Sequence, residues 1–519
     1  MAQLTEDDVI PTPISRRSGL RAGWAVLLLA GCTVGPDYQP PGVELPPAWS
    51  RAAAAGDPAP AVAPEAIELT HWWQSFGDPT LDSLVDLAVA ANPEVAVATA
   101  RVREARAAEV VSGAGRFPAI GSEASYVHER MSRAGLMGGF LPDPEFDLYQ
   151  AGFDAAWEID LFGGRRRAVE AAHAVVEQAD ESVRDVQVEL GAEVARSYVA
   201  LRGAERRLVI ADRNLEGQRS SLELTEERFR AGLTGELDVT QSRSLLASTE
   251  AQRPRLEAER DRAVHRLSVL AGRPPEALRE LLAGHGDIPG TAAAGTLASR
   301  VPMGLPSDLL RRRPDVRRAE RGVAAASARV GVATADLFPK LSLTGSVGLE
   351  SVSASDFFDA ASRAYSIGPA IRWPIFQGGR IRAQVEAADA REEAALALYR
   401  ETVLVALEDV ENALSSFARE RERHGRLVEA VAASRRSVEL ARDLYQNGLG
   451  SFLQVLDAER TLYAAEDSLV LSDGAVAIDL VALFKALGGG WDPAAPPESA
   501  RPELSDRTGS ATDPAPPPG

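Results

Sequence analysis

The chain has 519 residues, a formal net charge of −19 and one cysteine. This excess of acidic side chains speaks against a protein that binds nucleic-acid phosphates, which needs clustered lysine and arginine. Lysine is nearly absent, with only Lys340 and Lys485, so arginine supplies almost all the positive charge. One cysteine excludes a disulfide within the chain, and the length allows several ordinary domains.

The first 31 residues have the pattern of a secretory signal. Three arginines precede a short apolar run at 24–30, far shorter than the ~20 residues that span a bilayer. The run ends in Leu-Ala-Gly-Cys, which resembles the bacterial lipoprotein processing site, where the cysteine becomes the lipidated first residue. We therefore predict a signal peptide at 1–31 and lipidation of Cys32, with Thr33 favouring the outer membrane. The alternative is a buried free cysteine after a chance apolar patch.

Proline- and alanine-rich segments flank the body of the chain. Residues 32–64 show no periodicity and predict a lipid-anchored extended tether. Residues 493–519 have the same composition and predict a disordered tail.

Two long proline-free stretches predict very long helices, because proline is excluded from helix interiors. Residues 164–231 and 379–447 each hold roughly 65 positions at helical spacing, or about 100 Å of helix. Such helices need equally long partners, as in a coiled coil. Glycine-containing turns at 231–235 and 447–451 end them, and return helices are predicted over 237–270 and 453–487. Pro254 predicts a kink or break in the first return helix.

Four segments instead alternate apolar and polar residues, at 118–130, 149–161, 340–350 and 365–375. Strands of about ten residues with one apolar face match transmembrane β-barrel strands, although a half-buried soluble sheet has the same period. The lipoprotein pattern and the long helices favour the membrane. Four strands leave open edges that lipid does not tolerate, so the barrel must be shared between chains.

The loops and the lumen follow from this strand assignment. Segments 131–145 and 351–363 are predicted as loops outside the cell. The acids Asp154, Glu158 and Asp160 on the polar side predict a preference for cations in the lumen.

The chain repeats its own motifs in order. Asn-Pro-Glu-Val at 92–95 returns as Arg-Pro-Asp-Val at 313–316, and Phe-Pro at 117–118 returns at 338–339. Gly-Gly-Arg at 163–165 returns at 378–380. These echoes predict a first repeat over 65–272, a connector over 273–303 and a second repeat over 304–492.

Features of an enzyme are not found. A P-loop needs Gly-Lys-[Ser/Thr], and neither lysine follows a glycine. The six histidines lie far apart in sequence, so none has metal-ligand spacing. We predict no catalytic activity, no metal and no cofactor.

The chain resembles the TolC-like outer membrane factors, specifically the lipoprotein (NodT-type) branch that works with RND-type efflux pumps. The motifs that carry this resemblance lie at 32–38 (CTVGPDY), 72–79 (WWQSFGDP), 304–315 (GLPSDLLRRRPD) and 487–491 (LGGGW). The resemblance implies a homotrimer with a twelve-stranded outer-membrane β-barrel, continued by a long α-helical coiled-coil barrel with an equatorial belt that includes 273–303.

The resemblance also implies a gate at the periplasmic helix ends, where the inner helix pair constricts the pore. By position, Leu453 and Asp457 form the constriction, since residues four apart share a helix face. Many family members carry a second acid where this chain has Gln454. Tyr445 and Asp238 match positions that latch the inner pair to the outer pair. An arginine of that latch in some relatives has no counterpart at Gly450.

Adaptor docking is implied at the two tip turns, whose residues are Gly232, Leu233, Thr234, Gly448, Leu449 and Gly450. The alternative for the gate and latch residues is ordinary coiled-coil packing and solvated surface. The implied function is a passive exit duct for small molecules, with a periplasmic adaptor, an inner-membrane RND pump and outer-membrane lipid as partners. Alternatives are a type I secretion duct and a structural envelope lipoprotein without a pore.

Overall fold

A computed structural model describes residues 33–50, 67–132, 134, 144–284, 286–291, 301–302 and 305–496. Single-turn 3-10 helices lie at Trp72–Phe76, Pro306–Asp308 and Ala360–Ser362. The other elements follow in the order α1 Pro79–Ala91, α2 Pro93–Ala114, β1 Ala119–Arg130, β2 Glu145–Ile159, α3 Gly164–Arg230, α4 Glu236–Glu250, α5 Gln252–Leu270, α6 Leu309–Arg312, α7 Pro314–Ala335, β3 Lys340–Ser351, β4 Arg363–Arg372, α8 Arg380–Gln446 and α9 Phe452–Ala486. The predicted signal, Cys32 and most of the predicted tail lie outside the described residues.

The two predicted long helices are confirmed almost to the residue. Helices α3 and α8 each contain 67 residues. The first return helix is broken as predicted, because α4 ends at Glu250 and α5 starts at Gln252 with Pro254 in its first turn. The second return helix, α9, has no proline and runs unbroken for 35 residues.

One compact unit, comprising 1–40, 106–174 and 323–395, contains all the strands found among the described residues. They form a four-stranded antiparallel sheet in the order β1-β2-β3-β4. The four strand predictions are confirmed, although β2 runs from Glu145 to Ile159 rather than over 149–161, and β4 ends at Arg372 rather than at 375. Arg372 pairs with Lys340, the first residue of β3, so β4 ends where its partner strand begins.

The second unit, comprising 41–105, 175–322 and 396–519, is helical in the part that the structure describes. Its core includes Trp72, which stacks on Phe484 with ring centroids 5.1 Å apart. Residues 79–114 are long and apolar enough to cross a membrane, a criterion that core helices also meet. Helix α1 has such a core face, with Leu81, Leu84 and Val85 buried.

The end of the described part of the predicted tether is packed rather than free. At the end of its first described stretch Trp49 is 2% exposed, and the Ser50 amide donates to Glu411 Oε1 at 2.8 Å. This portion is therefore packed against the helical unit, which composition alone did not indicate.

One type of contact, here called a closing joint, occurs twice in the helical unit. In it, the side chain of the residue just before one helix donates a hydrogen bond to the last carbonyl of another helix. Asn92, which precedes α2, donates through Nδ2 to the carbonyl of Leu270 at the end of α5 at 2.8 Å. Arg313, which precedes α7, donates through Nη1 to the carbonyl of Ala486 at the end of α9 at 3.2 Å. In both cases the last residue of a return helix is thus bound by the residue just before the proline that begins α2 or α7.

Candidate functional site

The sheet has one apolar face, and the strand register defines it. Phe153 of β2 pairs with Ser122 and Val347, and Val347 pairs with Tyr365. Large side chains on this face are open to solvent, with Ile120 and Ile367 each 76% exposed. From Tyr149 to Ile159 the face extends for roughly 33 Å along β2, or about 25 Å in height for a strand tilted by ~40°. These dimensions fit the hydrocarbon band of a membrane.

Aromatic rings mark both ends of this apolar face. At the end of the sheet nearer the β1–β2 connection, here called the outer end, the Tyr126 and Tyr149 rings lie 5.0 Å apart; the opposite end, nearer α3, is called the inner end. At the inner end Trp157 Nε1 donates to the Arg116 carbonyl at 3.0 Å, and Trp373 Nε1 donates to the Leu337 carbonyl at 3.1 Å. Tyrosine and tryptophan with satisfied polar groups favour membrane interfaces.

Beyond the Tyr126 ring the same face becomes charged. Tyr126 itself donates to Asp147, His128 lies 2.8 Å from Asp147 Oδ1, and Arg130 bonds Glu145 at 2.6 Å. The apolar band therefore stops where these ion pairs begin.

The opposite face of the sheet is polar. Its residues include Glu123, Ser125, Asp154 and Ser346, and Gln150 Nε2 donates to Glu350 Oε2 at 2.8 Å. Two of the three acids that the sequence placed on this face are paired with arginine.

Glu158 accepts from Arg165 at 2.8 Å. Asp160, which lies beyond the end of β2, accepts from the Arg166 amide at 2.9 Å and from its side chain at 3.3 Å. The predicted cation preference therefore depends on Asp154, Glu123 and Glu350 rather than on Glu158 and Asp160.

The two tip turns have the same geometry. Gly232 and Gly448 both adopt φ of +72°, a left-handed conformation that favours glycine. The Leu233 amide donates to the Arg228 carbonyl at 2.9 Å, and the Leu449 amide donates to the Leu444 carbonyl at 2.8 Å. Each turn thereby presents an apolar tip residue, since Leu233 and Leu449 are 66% and 78% exposed.

The predicted constriction residues lie on an open surface of the first turns of α9. Leu453 is 59% exposed, and Asp457 pairs only loosely with Arg460 at 3.3 Å. Gln454 Oε1 accepts from the Ser451 amide at 3.2 Å and completes a capping box with Ser451. Gln454 therefore serves the helix start, a role that an acid at this position could also fill.

The two predicted latch residues are not bonded to each other in the single chain. Tyr445 is 4% exposed and its hydroxyl has no hydrogen-bond partner among the described residues. Its ring lies 5.4 Å from that of Phe452, with the Arg228 guanidinium 4.8 Å above it. Asp238 instead accepts from the Thr234 hydroxyl. A latch through Tyr445 and Asp238 stays a prediction.

A buried polar ladder, not expected from the sequence, joins α3, α8 and α9. Glu459 of α9 is 6% exposed and accepts from Ser221 of α3 at 2.6 Å and from Arg442 of α8 at 2.7 Å. One heptad along each helix, Glu466 accepts from Asn214 at 3.3 Å and from Arg435 at 2.8 Å. The Arg442 guanidinium also donates to the Gly217 carbonyl of α3 at 3.3 Å.

The seven-residue spacing is the feature of the sequence that could have indicated this ladder. Positions 214 and 221, 435 and 442, and 459 and 466 each differ by one heptad, the period at which coiled-coil helices meet. When each helix is considered alone, the pattern of these residues predicts a solvent-exposed helix surface.

An amphipathic membrane sheet attached to coiled-coil helices defines an outer-membrane channel component, and comparison with known proteins agrees. The model of the outer membrane efflux protein family matches residues 84–273 and 305–489. The pyoverdine export outer membrane protein OpmQ of Pseudomonas aeruginosa is 35% identical over 473 residues, which cover 90% of this chain and 96% of that protein. The outer membrane protein OprJ of the same species is 32% identical over 475 residues, which cover 91% of this chain and 96% of that protein.

The solved structure of the outer-membrane channel OprN superposes with a TM-score of 0.81 at 41% identity. The match covers 89% of this chain and all of that one. The chain belongs to the outer membrane efflux protein family, as its motifs predicted.

Proposed function

We propose that three copies of this chain form the exit duct of a tripartite efflux system. The two-faced sheet carries this proposal. Its apolar face requires lipid, its polar face requires water, and its two outer strands leave unpaired backbone groups that lipid does not tolerate. Three four-stranded sheets joined edge to edge give a closed twelve-stranded barrel with the polar face inside.

The duct conducts small molecules, such as drugs or toxic compounds, without using energy of its own. A periplasmic adaptor and an inner-membrane RND pump supply and drive the cargo. The names of the relatives support this role, since OpmQ is named for pyoverdine export and a 32% identical Pseudomonas putida relative is named for a solvent efflux pump. The paired turns with exposed Leu233 and Leu449 are the docking tips for the adaptor.

A gate closes the duct at the ends of α8 and α9. Three copies of Leu453 and Asp457 converge on the pore axis there. Because neighbouring carboxylates repel, other contacts must hold the closed state. The ladder through Glu459 and Glu466 supplies such contacts, since separation of α9 from α3 breaks its bonds to Ser221 and Asn214.

The ladder also keeps α8 and α9 together when they move. Arg442 and Arg435 bind the same two carboxylates from within that helix pair. The two helices therefore move as one unit against α3.

Cys32 anchors the mature chain through acyl chains, because stable anchoring needs more than one lipid signal and this type of site provides several chains. Mass spectrometry of the mature N-terminus tests this. An acylated Cys32 is expected, and an unmodified one refutes the anchor.

Single-channel conductance in planar bilayers, combined with native mass spectrometry of detergent-extracted protein, tests the duct. A conducting trimer is expected. A stable folded monomer overturns the shared barrel, and a trimer without conductance favours the structural lipoprotein. Export assays with small dyes and with a secreted protein then separate the efflux duct from the type I secretion duct.

A further inference from the structure

The chain directly behind Cys32 is held against the junction between β2 and α3. The Val34 amide donates to the Phe162 carbonyl at 3.1 Å. Arg167, in the first turn of α3, is only 4% exposed. Its guanidinium donates to the carbonyls of Val34 at 3.3 Å and Gly35 at 3.4 Å, and to Asp37 Oδ1 at 2.6 Å.

Two glycines let this segment pass close to α7. Gly35 has φ of +89°, and a Cβ there would overlap the Cα of Gly331. A Cβ at Gly331 would in turn lie 2.8 Å from Cγ of Arg167. Glycine at 35 therefore allows the segment to lie against the backbone of α7, and glycine at 331 leaves room for the Arg167 side chain beside it.

The buried guanidinium carries most of the interaction. Asp37 is 88% exposed, so its ion pair is screened and contributes little. The two carbonyls matter more, because a buried arginine left without acceptors is costly. In the described part of the chain, Glu170 is the one other acceptor, at 2.8 Å. The Arg167 guanidinium thus depends on this segment for most of its hydrogen-bond acceptors.

We propose that Arg167 and the Gly35–Gly331 passage form a dock that fixes where the lipid anchor enters the membrane. The proposal depends on acylation of Cys32, which is part of the proposed function. Cys32 lies two residues before Val34, hence no more than roughly 7.6 Å from it between Cα atoms. If the segment were instead unattached as far as Trp49, Cys32 could lie up to about 58 Å from Trp49.

The dock also sets the depth of the anchor. Trp157, at the inner aromatic end of the apolar face, lies on the strand that leads into the Phe162 junction. Acyl chains attached beside this junction enter the inner leaflet of the outer membrane directly at the wall of the barrel. The anchor then has a fixed position beside the sheet unit and is not the end of a flexible tether.

Hydrogen exchange of the detergent-extracted full-length mature protein tests the dock. Gly35→Ala is the principal variant, because its added Cβ displaces the segment without removing a charge. Peptides covering 33–40 should exchange at least tenfold faster than in wild type, which corresponds to about 1.4 kcal/mol of lost protection. Gly42→Ala is the matched control, since a Cβ there meets nothing within 4 Å.

Arg167→Ala should produce the same loss, whereas Arg166→Ala, which removes the neighbouring Asp160 pair, should leave the 33–40 peptides protected. Arg167→Lys should be intermediate, because one ammonium cannot reach three acceptors as a guanidinium does. Trimer content should be unchanged in Gly35→Ala. Unchanged exchange in Gly35→Ala refutes the dock, even if Arg167→Ala fails to fold.

The mass of the N-terminal peptide in the same digest separates this proposal from the one on which it rests. An acylated Cys32 with an unprotected wild-type segment overturns the dock alone. A protected segment with an unmodified Cys32 retains the contact but overturns its role in placing an anchor.

Discussion

Ser221→Ala tests whether the polar ladder holds the gate closed. Ser221 lies on α3 and donates to Glu459 of α9 at 2.6 Å. The alanine variant removes this bond but leaves the carboxylate paired with Arg442, so no buried charge is stranded. Asn214→Ala removes the corresponding bond to Glu466 one heptad away.

The size of the effect follows from the chemistry of the bond. A hydrogen bond to a charged group contributes about 1.5–3 kcal/mol, and a Ser221–Glu459 contact with a 6% exposed acceptor lies within that range. In the proposed trimer, three copies acting together should shift the proposed gate by about 6 kcal/mol, or on the order of ten-thousand-fold in the closed-to-open ratio. The bond from Asn214 to the Glu466 carboxylate is longer, at 3.3 Å, so it should contribute at the lower end of this range, about 1.5 kcal/mol per chain.

Basal single-channel conductance in planar bilayers is the assay, with Ser220→Ala as the control. Ser220 is the adjacent residue, is exposed and donates only to the Glu216 carbonyl of its own helix at 3.2 Å. Ser221→Ala should raise open probability and Ser220→Ala should not. If the Ser221→Ala, Asn214→Ala double variant conducts like wild type while Tyr445→Phe with Asp238→Ala opens the duct, the latch lies at the latter pair and our reasoning is wrong.

Three further predictions concern folding and insertion. Arg313→Ala should destabilise the helical unit by about 3 kcal/mol in denaturation, because it leaves the largely buried Asp315 carboxylate without its guanidinium partner. The Asp409 side chain is 44% exposed, so the loss of that pair adds little. Exposed Arg311→Ala should change stability by less than about 0.5 kcal/mol. Burial, with the nearby charge of Glu420, raises the pKa of Asp479 to about 6. The fold thus favours its protonated form and loses that stabilisation as pH rises through about 6, so Asp479→Asn should raise the melting temperature at alkaline pH, and a gain that persists at pH 4 would refute this assignment. Ile367 lies in the row of Ala155 and Gly345, in the middle of the apolar face, so Ile367→Lys should cost about 2–4 kcal/mol and reduce inserted trimer. Ser366→Lys on the polar face should not, and equal yields would contradict the assigned faces.

The periodic elements were predictable from local sequence. Absence of proline from 145 to 253 identified α3, and alternation from Tyr149 to Ile159 identified β2, because both patterns are set by residues a few positions apart. The turn glycines Gly232 and Gly448 marked the helix ends for the same reason.

The long-range polar contacts were not predictable in this way. Ser221 meets Glu459 across 238 positions, and a serine or glutamate on a helix reads as solvated surface until its neighbour is known. The contacts of the segment at 33–37 were not predicted, for a related reason. Its proline and glycine content is typical of a tether, whereas its conformation depends on Arg167 and on the missing Cβ of Gly331.

The closing joints at Asn92 and Arg313 bear on how such a chain could arise. Each half leaves its joint along a helix, runs out through strands and a hairpin of long helices, and comes back to the carbonyl at the end of its own return helix. A coding segment whose product begins and finishes at one place can be copied in tandem, because the fusion point demands no new geometry from either copy. Afterwards each copy can acquire its own chemistry at the joint, an amide in one half and a guanidinium in the other.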